Sequence, residues 1–152
     1  MSPENIAGAA SDPVLSLEPE SAETVRAAVL EGLRSHNRPY TAAPDSLPLI
    51  IAARDGEALV GGLVGQTYWQ WLHVELLWVA EVYRGRGLGR RLLRAAEDQA
   101  RQRGVRHVYL DTLDFQARPF YEREGYEVFG VLEDYPPGHA RFYMRKDLIA
   151  ER

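Results

Sequence analysis

The stretch EVYRGRGLGRRLL, residues 81–93, packs three glycines and four arginines into the start of a segment whose later spacing is helical. A helix N-terminus already carries about half an elementary positive charge, so cations are ordinarily disfavoured there. Arginines crowded at that point predict an anion held by the loop. The rest of the chain has to say which one.

The charge distribution supports a local site rather than a basic protein. The 152 residues carry a net charge of −4, yet residues 84–106 hold eight arginines against Glu97 and Asp98, a balance of +6 on a remainder of −10. That argues against a general nucleic-acid binder. One basic segment on an acidic body predicts a compact anion site, with acidic surface left for a cationic second partner. The bland alternative is a solvated arginine face on a surface helix. Hydrophobic residues at 45% and charged residues at 26% are ordinary for a soluble domain.

With no cysteine, the chain has no disulfide framework, thiolate metal site or cysteine nucleophile. No apolar run approaches the ~18–20 residues that cross a membrane. The opening MSPENIAGAASDP lacks a basic segment followed by an apolar one, so no secretory signal is expected and the cytoplasm is the default location. Residues 1–13, small, polar and proline-bearing, are expected to be a disordered tail, and 14–149 a single domain.

Outward from the loop, the periodicities place the remaining elements. Val14–Leu17 is expected as a short strand and Glu18–Ser35 as a helix, with Val25, Ala28, Val29 and Leu33 on one face. Leu49–Arg54 and Leu59–Tyr68 read as a hairpin around Asp55-Gly56. The stretch WLHVELLWVA, 71–80, alternates: Leu72, Val74, Leu76 and Trp78 are expected on one face, His73, Glu75, Leu77 and Val79 on the other. A helix over Leu88–Arg103 turns Leu88, Leu92, Leu93, Ala96 and Ala100 inward and stops at Gly104. Val105–Thr112 is a strand, Ala117–Glu124 a short helix, and Tyr126–Leu132 and Ala140–Lys146 are the last strands. An antiparallel meander followed by a strand-helix-strand crossover predicts an α/β (α+β) sheet with helices on both faces.

Three glycine-loop chemistries compete for 84–89. An ATPase or GTPase loop requires Gly-x-x-x-x-Gly-Lys-Ser/Thr, and Gly85-Arg-Gly-Leu-Gly-Arg-Arg supplies neither lysine nor hydroxyl. A dinucleotide fingerprint requires a third glycine where Arg90 stands, and the meander in front is wrong for that fold. The third option fits: Arg84-Gly85-Arg86-Gly87-Leu88-Gly89 resembles the Arg/Gln-x-x-Gly-x-Gly/Ala pattern of the GCN5-related N-acetyltransferase (GNAT) superfamily. Downstream, FYEREGYEVFG (120–130) resembles that family's segment of helix, tyrosine, glycine and strand start, and the similarity extends over about residues 59–146.

The resemblance implies a mixed, mostly antiparallel sheet of six to seven strands and an acetyl-CoA-dependent N-acetyltransferase without a metal. It implies that the loop holds the pyrophosphate of coenzyme A through backbone N–H groups of Arg86, Gly87, Leu88 and Gly89, with glycines permitting close approach. Gly85 belongs to the same cradle, and Arg84 and Arg90 are expected at its rim; Arg94 is expected to be a solvated surface residue. The backbone of Leu77, Trp78 and Val79 is implied to lie along the pantetheine, with the Val79 N–H for the thioester oxygen. Tyr121 matches the tyrosine that protonates the leaving thiolate. One departure stands out. Where the family often has asparagine, seven residues before the tyrosine, this chain has Asp114, and Gln116 is the nearest amide.

For the base, Glu75 ranks before His73, two residues apart on one expected strand face, each acting directly or through water. The acceptor is expected to be a primary amine of a small molecule or peptide. Its candidate walls are Tyr68, Trp69 and Trp71, the run His36–Tyr40, and Glu133, Asp134, Tyr135 and His139. Trp69 and Trp71 equally suit a core or a homodimer interface. A non-catalytic acyl-CoA-binding module is the alternative, and Tyr121 with an ionisable strand residue speaks against it. A longer acyl donor would need extra room near Leu77 and Val79. Acetyl-CoA is expected to raise thermal stability and Gly87→Asp to abolish that shift; an unshifted wild type at millimolar acetyl-CoA would remove the coenzyme reading.

Overall fold

The computed structural model describes residues 11–42 and 45–149, and the chain divides into two compact units, Met1–Ala43 and Pro44–Arg152. Most of the expected disordered tail, residues 1–10, lies outside the described residues. In the first unit a 3₁₀ turn over Pro19–Ser21 leads into helix α1, Ala22–Asn37. Val14–Leu17, expected as a strand, has no regular structure. The described part of that unit offers no strand for it to pair with, and an isolated strand leaves its backbone groups to water.

The second unit is one six-stranded mixed sheet in the order β1-β2-β3-β4-β6-β5. Its strands are β1 Leu47–Asp55, β2 Ala58–Tyr68, β3 Trp71–Val79, β4 His107–Leu113, β5 Glu127–Glu133 and β6 Ala140–Asp147. Four neighbouring pairs are antiparallel, and only β3 and β4 run parallel. They are joined by helix α2, Leu88–Gln102, which packs on β1, β2 and β3. Helix α3, Arg118–Arg123, brings Tyr121 into the same core. Leu92, Leu93, Ala96 and Ala100 of α2 bury against Leu63, Leu72, Val74, Val108 and Leu110 of the strands. Their spacing is the stripe that the sequence predicts.

Glu97 belongs to that buried stripe although it is charged. Its carboxylate accepts from the Tyr126 hydroxyl at 2.8 Å and pairs with Lys146 Nζ at 3.1 Å. A carboxylate only 2% exposed must be paired in this way. The triad ties α2 to β6 and to the start of β5. Among the described residues no helix is long and apolar enough to cross a membrane.

The alternation expected along β3 does not persist. Gly65 pairs with Val74 and Val64 with Leu76, so Glu75 is an extra residue without a partner on β2. This β-bulge shifts the side-chain period by one position. Leu72 and Val74 are buried before it; after it Leu77 and Val79 pack against the core, while Leu76 and Trp78 are exposed. The expected grouping of Leu76 and Trp78 with Leu72 and Val74 is therefore reversed. Leu77 and Val79 do not share a face with His73. Opposite the bulge, a Cβ on Gly65 would come 2.5 Å from the His73 carbonyl oxygen. Gly65→Ala is expected to cost about 1–3 kcal/mol through this overpacking, read from the urea midpoint.

Candidate active site

The bulge also marks where β3 leaves β4. The parallel pairing runs from Trp71–His107 to Val74–Leu110, whereas β3 continues to Val79 and β4 to Leu113. A slot opens between them. The Ala80 N–H bonds the Val60 carbonyl at 2.8 Å, so by the two-residue period of a strand the N–H groups of Val79 and Leu77 point the other way, into the slot. The splay implied for the pantetheine is present in the backbone.

Past Val79 the chain turns through Glu81–Tyr83 and Arg84 into α2. Gly87 is the helix N-cap at φ +78°, and Gly85 lies at φ +74°. These left-handed angles favour glycine, and they leave the first N–H groups of α2 without a side-chain cap or an acidic residue in the first turn. Those donors face a cleft of about 730 Å³ lined by Arg84, Gly85, Gly87, Leu88, Gly89 and Arg90, with Phe120 and Tyr121 across from them. Backbone donors and a helix dipole converging on an uncapped end suit a pyrophosphate.

The arginines are not simply loose charge. Arg84 donates through Nε to the Val79 carbonyl at 2.9 Å, which fastens the loop to the end of β3. The Arg86 guanidinium sits 5.6 Å from the centre of the Tyr83 ring. Arg90 and Arg94 both reach Glu124, at 3.1 and 3.2 Å, and that carboxylate is only 7% exposed. Arg94 is solvated as expected, its side chain 55% exposed, and it is also half of a two-arginine clamp on the end of α3.

A second cleft, of about 760 Å³, occupies the slot. It shares Leu77, Val79, Arg84, Ala117 and Tyr121 with the first, so the two are continuous and Tyr121 stands where they meet. Among the described residues the Tyr121 hydroxyl has no hydrogen-bond partner, and no buried polar side-chain atom is left unpaired. The hydroxyl therefore sits at the open side of an otherwise buried ring. Burial first, and the Asp111 charge second, raise its pKa from 10.0 to about 12. The phenol stays protonated and able to donate.

Glu75 lines the slot from the bulge, and Trp78 lies beside it. His73 does not reach the slot: its ring stacks on Tyr109, centroids 4.4 Å apart and planes 2° from parallel. Gln116 lines the slot while its Oε1 accepts the Leu113 N–H at 2.8 Å. Asp114 turns away, accepting the Ala140 N–H at 3.0 Å and meeting His139 Nδ1 at 2.8 Å. It secures the start of β6 and does not stand in for the family's asparagine on the slot wall. Of the aromatic candidates Tyr135 reaches the slot, whereas Trp71 packs on His107 at 4.7 Å and Tyr68 edge-on to Trp69 at 4.6 Å. Asp111 and Arg141 also line the slot, and sequence reading missed both. Among the described residues no metal-ligand cluster is found.

A parallel strand pair that splays beside an uncapped, glycine-initiated helix, with a protonated phenol where the two clefts meet, is an arrangement suited to a pyrophosphate-bearing acyl carrier. Residues 15–126 match the Acetyltransferase (GNAT) family, and the chain belongs to that family. It is 50% identical over 91 residues to the Blasticidin-S acetyltransferase of Streptomyces morookaense, covering 59% of this chain and 67% of that one. An acetyltransferase of Agrobacterium fabrum is 37% identical over 120 residues, 78% of this chain and 88% of its own. The crystal structure of an acetyltransferase from Bacillus cereus is similar with a TM-score of 0.73 at 28% identity, covering 90% of this chain and 97% of that one. The protein is an N-acetyltransferase with acetyl-CoA as donor.

The raised Tyr121 pKa has a consequence for stability. Between pH 10.0 and about 12 the unfolded chain gives up this proton and the folded chain keeps it. The group's contribution is thus complete below the unfolded value and is lost as pH rises, by at most about 1.4 kcal/mol per pH unit. Urea midpoints at pH 8 and pH 11 are expected to differ less in Tyr121→Phe than in the wild type.

Proposed function

We propose that the chain acetylates a primary amine of a small, cationic, antibiotic-type molecule, with Tyr121 as the acid and Glu75 as the base. The observation that carries the reading is that Tyr121 and Glu75 line one slot with the unpaired backbone of β3 running between them. The 50% identity to a Blasticidin-S acetyltransferase supports the acceptor class. So does a 34% identity over 90 residues to the Streptothricin acetyltransferase of Streptomyces lavendulae, which covers 48% of that protein.

In this reading the uncapped N–H groups of α2 grip the pyrophosphate, with Arg84 and Arg90 adding positive field at the rim. The Val79 N–H points at the thioester oxygen and stabilises the negative charge that develops on it. Glu75 takes a proton from the acceptor nitrogen, directly or through one water, as the nitrogen bonds the carbonyl carbon. The carbon–sulfur bond breaks, and Tyr121 supplies the proton that the sulfur needs. A phenol at about 12 is a weak donor to an ordinary thiolate, but the slot that desolvates the ring also raises the proton affinity of a thiolate held there. Gln116 and the Leu77 backbone position the pantetheine arm. His73 acts through Tyr109 packing and has no direct proton role.

Two substitutions and one screen test the roles. Tyr121→Phe is expected to lower kcat by about 10²- to 10⁴-fold with the KM for acetyl-CoA little changed; unaltered turnover would remove its acid role. Glu75→Gln is expected to lower kcat and to weaken its rise with pH. A thiol-release screen over amines that include blasticidin S and streptothricin identifies the acceptor, and no turnover of any primary amine would overturn the reading.

A further inference from the structure

Asp111 and Arg141 form an ion pair in the wall of the slot itself. Asp111 comes from β4 and Arg141 from β6, where its cross-strand partner is Leu113, so the pair lies on a diagonal. Arg141 reaches Asp111 Oδ1 twice, from Nε at 2.8 Å and from Nη2 at 2.7 Å. The guanidinium also sits 4.6 Å from the ring centre of Tyr135 and 5.4 Å from that of Tyr143. A carboxylate can accept about four hydrogen bonds, and this arginine takes two of them at a single oxygen. Both side chains keep about a quarter of their surface, 26% and 23%, open to solvent. They are immobilised but reachable. A purely structural clasp between β4 and β6 could lie anywhere along those strands. This one lies beyond the point where β3 has departed, in the same cleft as Glu75, Trp78 and Tyr135.

We propose that Asp111 anchors a second, non-reacting cationic group of the acceptor, and that Arg141 is a positioning residue which holds that carboxylate aimed into the slot. This makes the substrate class a dibasic small molecule, and it rests on the acetyltransfer reading above. The division of labour follows from the chemistry. The nitrogen that attacks must be neutral, so a group that stays charged through the reaction is the one a permanent anchor can hold. Glu75 serves the first nitrogen and Asp111 the second. Arg141 engages only one oxygen of Asp111, so the other oxygen remains available to a retained cation. The Trp78, Phe115 and Tyr135 rings that share the cleft add cation–π attraction for the same group. That Asp111 lies within electrostatic reach of the Tyr121 hydroxyl places the anchor close to the reacting centre.

The test is thiol-release kinetics with matched pairs of linear diamines and monoamines of equal length, together with blasticidin S. The wild type is expected to favour each diamine in kcat/KM by about tenfold or more, the yield of one charge-assisted contact. Asp111→Asn is expected to reduce that preference to within about twofold while the KM for acetyl-CoA holds, which reports an intact coenzyme site. Asp111→Glu should restore part of the preference, and Arg141→Leu should lower it through a raised acceptor KM. An equal rate for diamine and monoamine in the wild type, or a preference that survives Asp111→Asn, overturns the anchor and leaves the acetyltransfer reading intact. A wild type that acetylates no amine overturns both.

Discussion

The geometry of the slot depends on one extra residue in β3. Glu75 has no partner on β2, and the displacement does two things at once. It rotates the strand so that Leu77 and Val79 tuck under α2, and it ends the pairing with β4 at Val74–Leu110. A regular strand would have given the Leu77 and Val79 N–H groups to β4. The bulge leaves them facing a slot, where each unmade hydrogen bond costs about 1–3 kcal/mol if nothing replaces it. In the proposed reading a ligand running along the strand replaces it. The absence of a side chain at Gly65 makes the arrangement feasible, because the His73 carbonyl occupies the space where a Cβ would stand.

The crowding of arginines at the start of α2 also has a physical resolution. The helix end has no acidic residue in its first turn and no side-chain cap, so its field is unopposed from within. Four nearby arginines are steadied by something else: Arg84 by the Val79 carbonyl, Arg86 by the Tyr83 ring, and Arg90 and Arg94 by Glu124. Glu124 thereby joins α3 to α2 on the flank of the cleft. Backbone donors are left free to grip an anion, and the side chains hold loop, helix and Tyr121 in one geometry around them.

The sequence made the loop readable because its chemistry is backbone chemistry, and only glycines at 85 and 87 permit it. The core stripe of α2 and the order of the elements from β1 to β6 were equally legible, since each follows from a fixed period. The bulge was not. Alternation over 71–80 is continuous in the letters, and an inserted residue changes which face they occupy without changing the letters themselves. The one available sign was a glycine on the neighbouring strand. Asp111 and Arg141 were missed for a related reason. They are 30 positions apart, and the β4–β6 register alone brings them together. Val14–Leu17 misled because apolar composition says nothing about whether a partner strand exists.

In the proposed reading acid and base have opposite needs, and the two candidate residues lie on two sides of the same slot. A phenol that must remain protonated belongs where charge is poorly solvated, and Tyr121 comes from α3 on the core side, 6% exposed. A carboxylate that must accept a proton belongs where water reaches it, and Glu75 is exposed on the bulge. Had β3 kept its alternation, residue 75 would have been one more side chain on a regular strand paired to β4. The same displacement that frees the Val79 N–H therefore also brings the carboxylate to the slot. A buried phenol and an exposed carboxylate on one slot are the unlike surroundings that such a pair of roles would use, and a single backbone irregularity supplies one of the two.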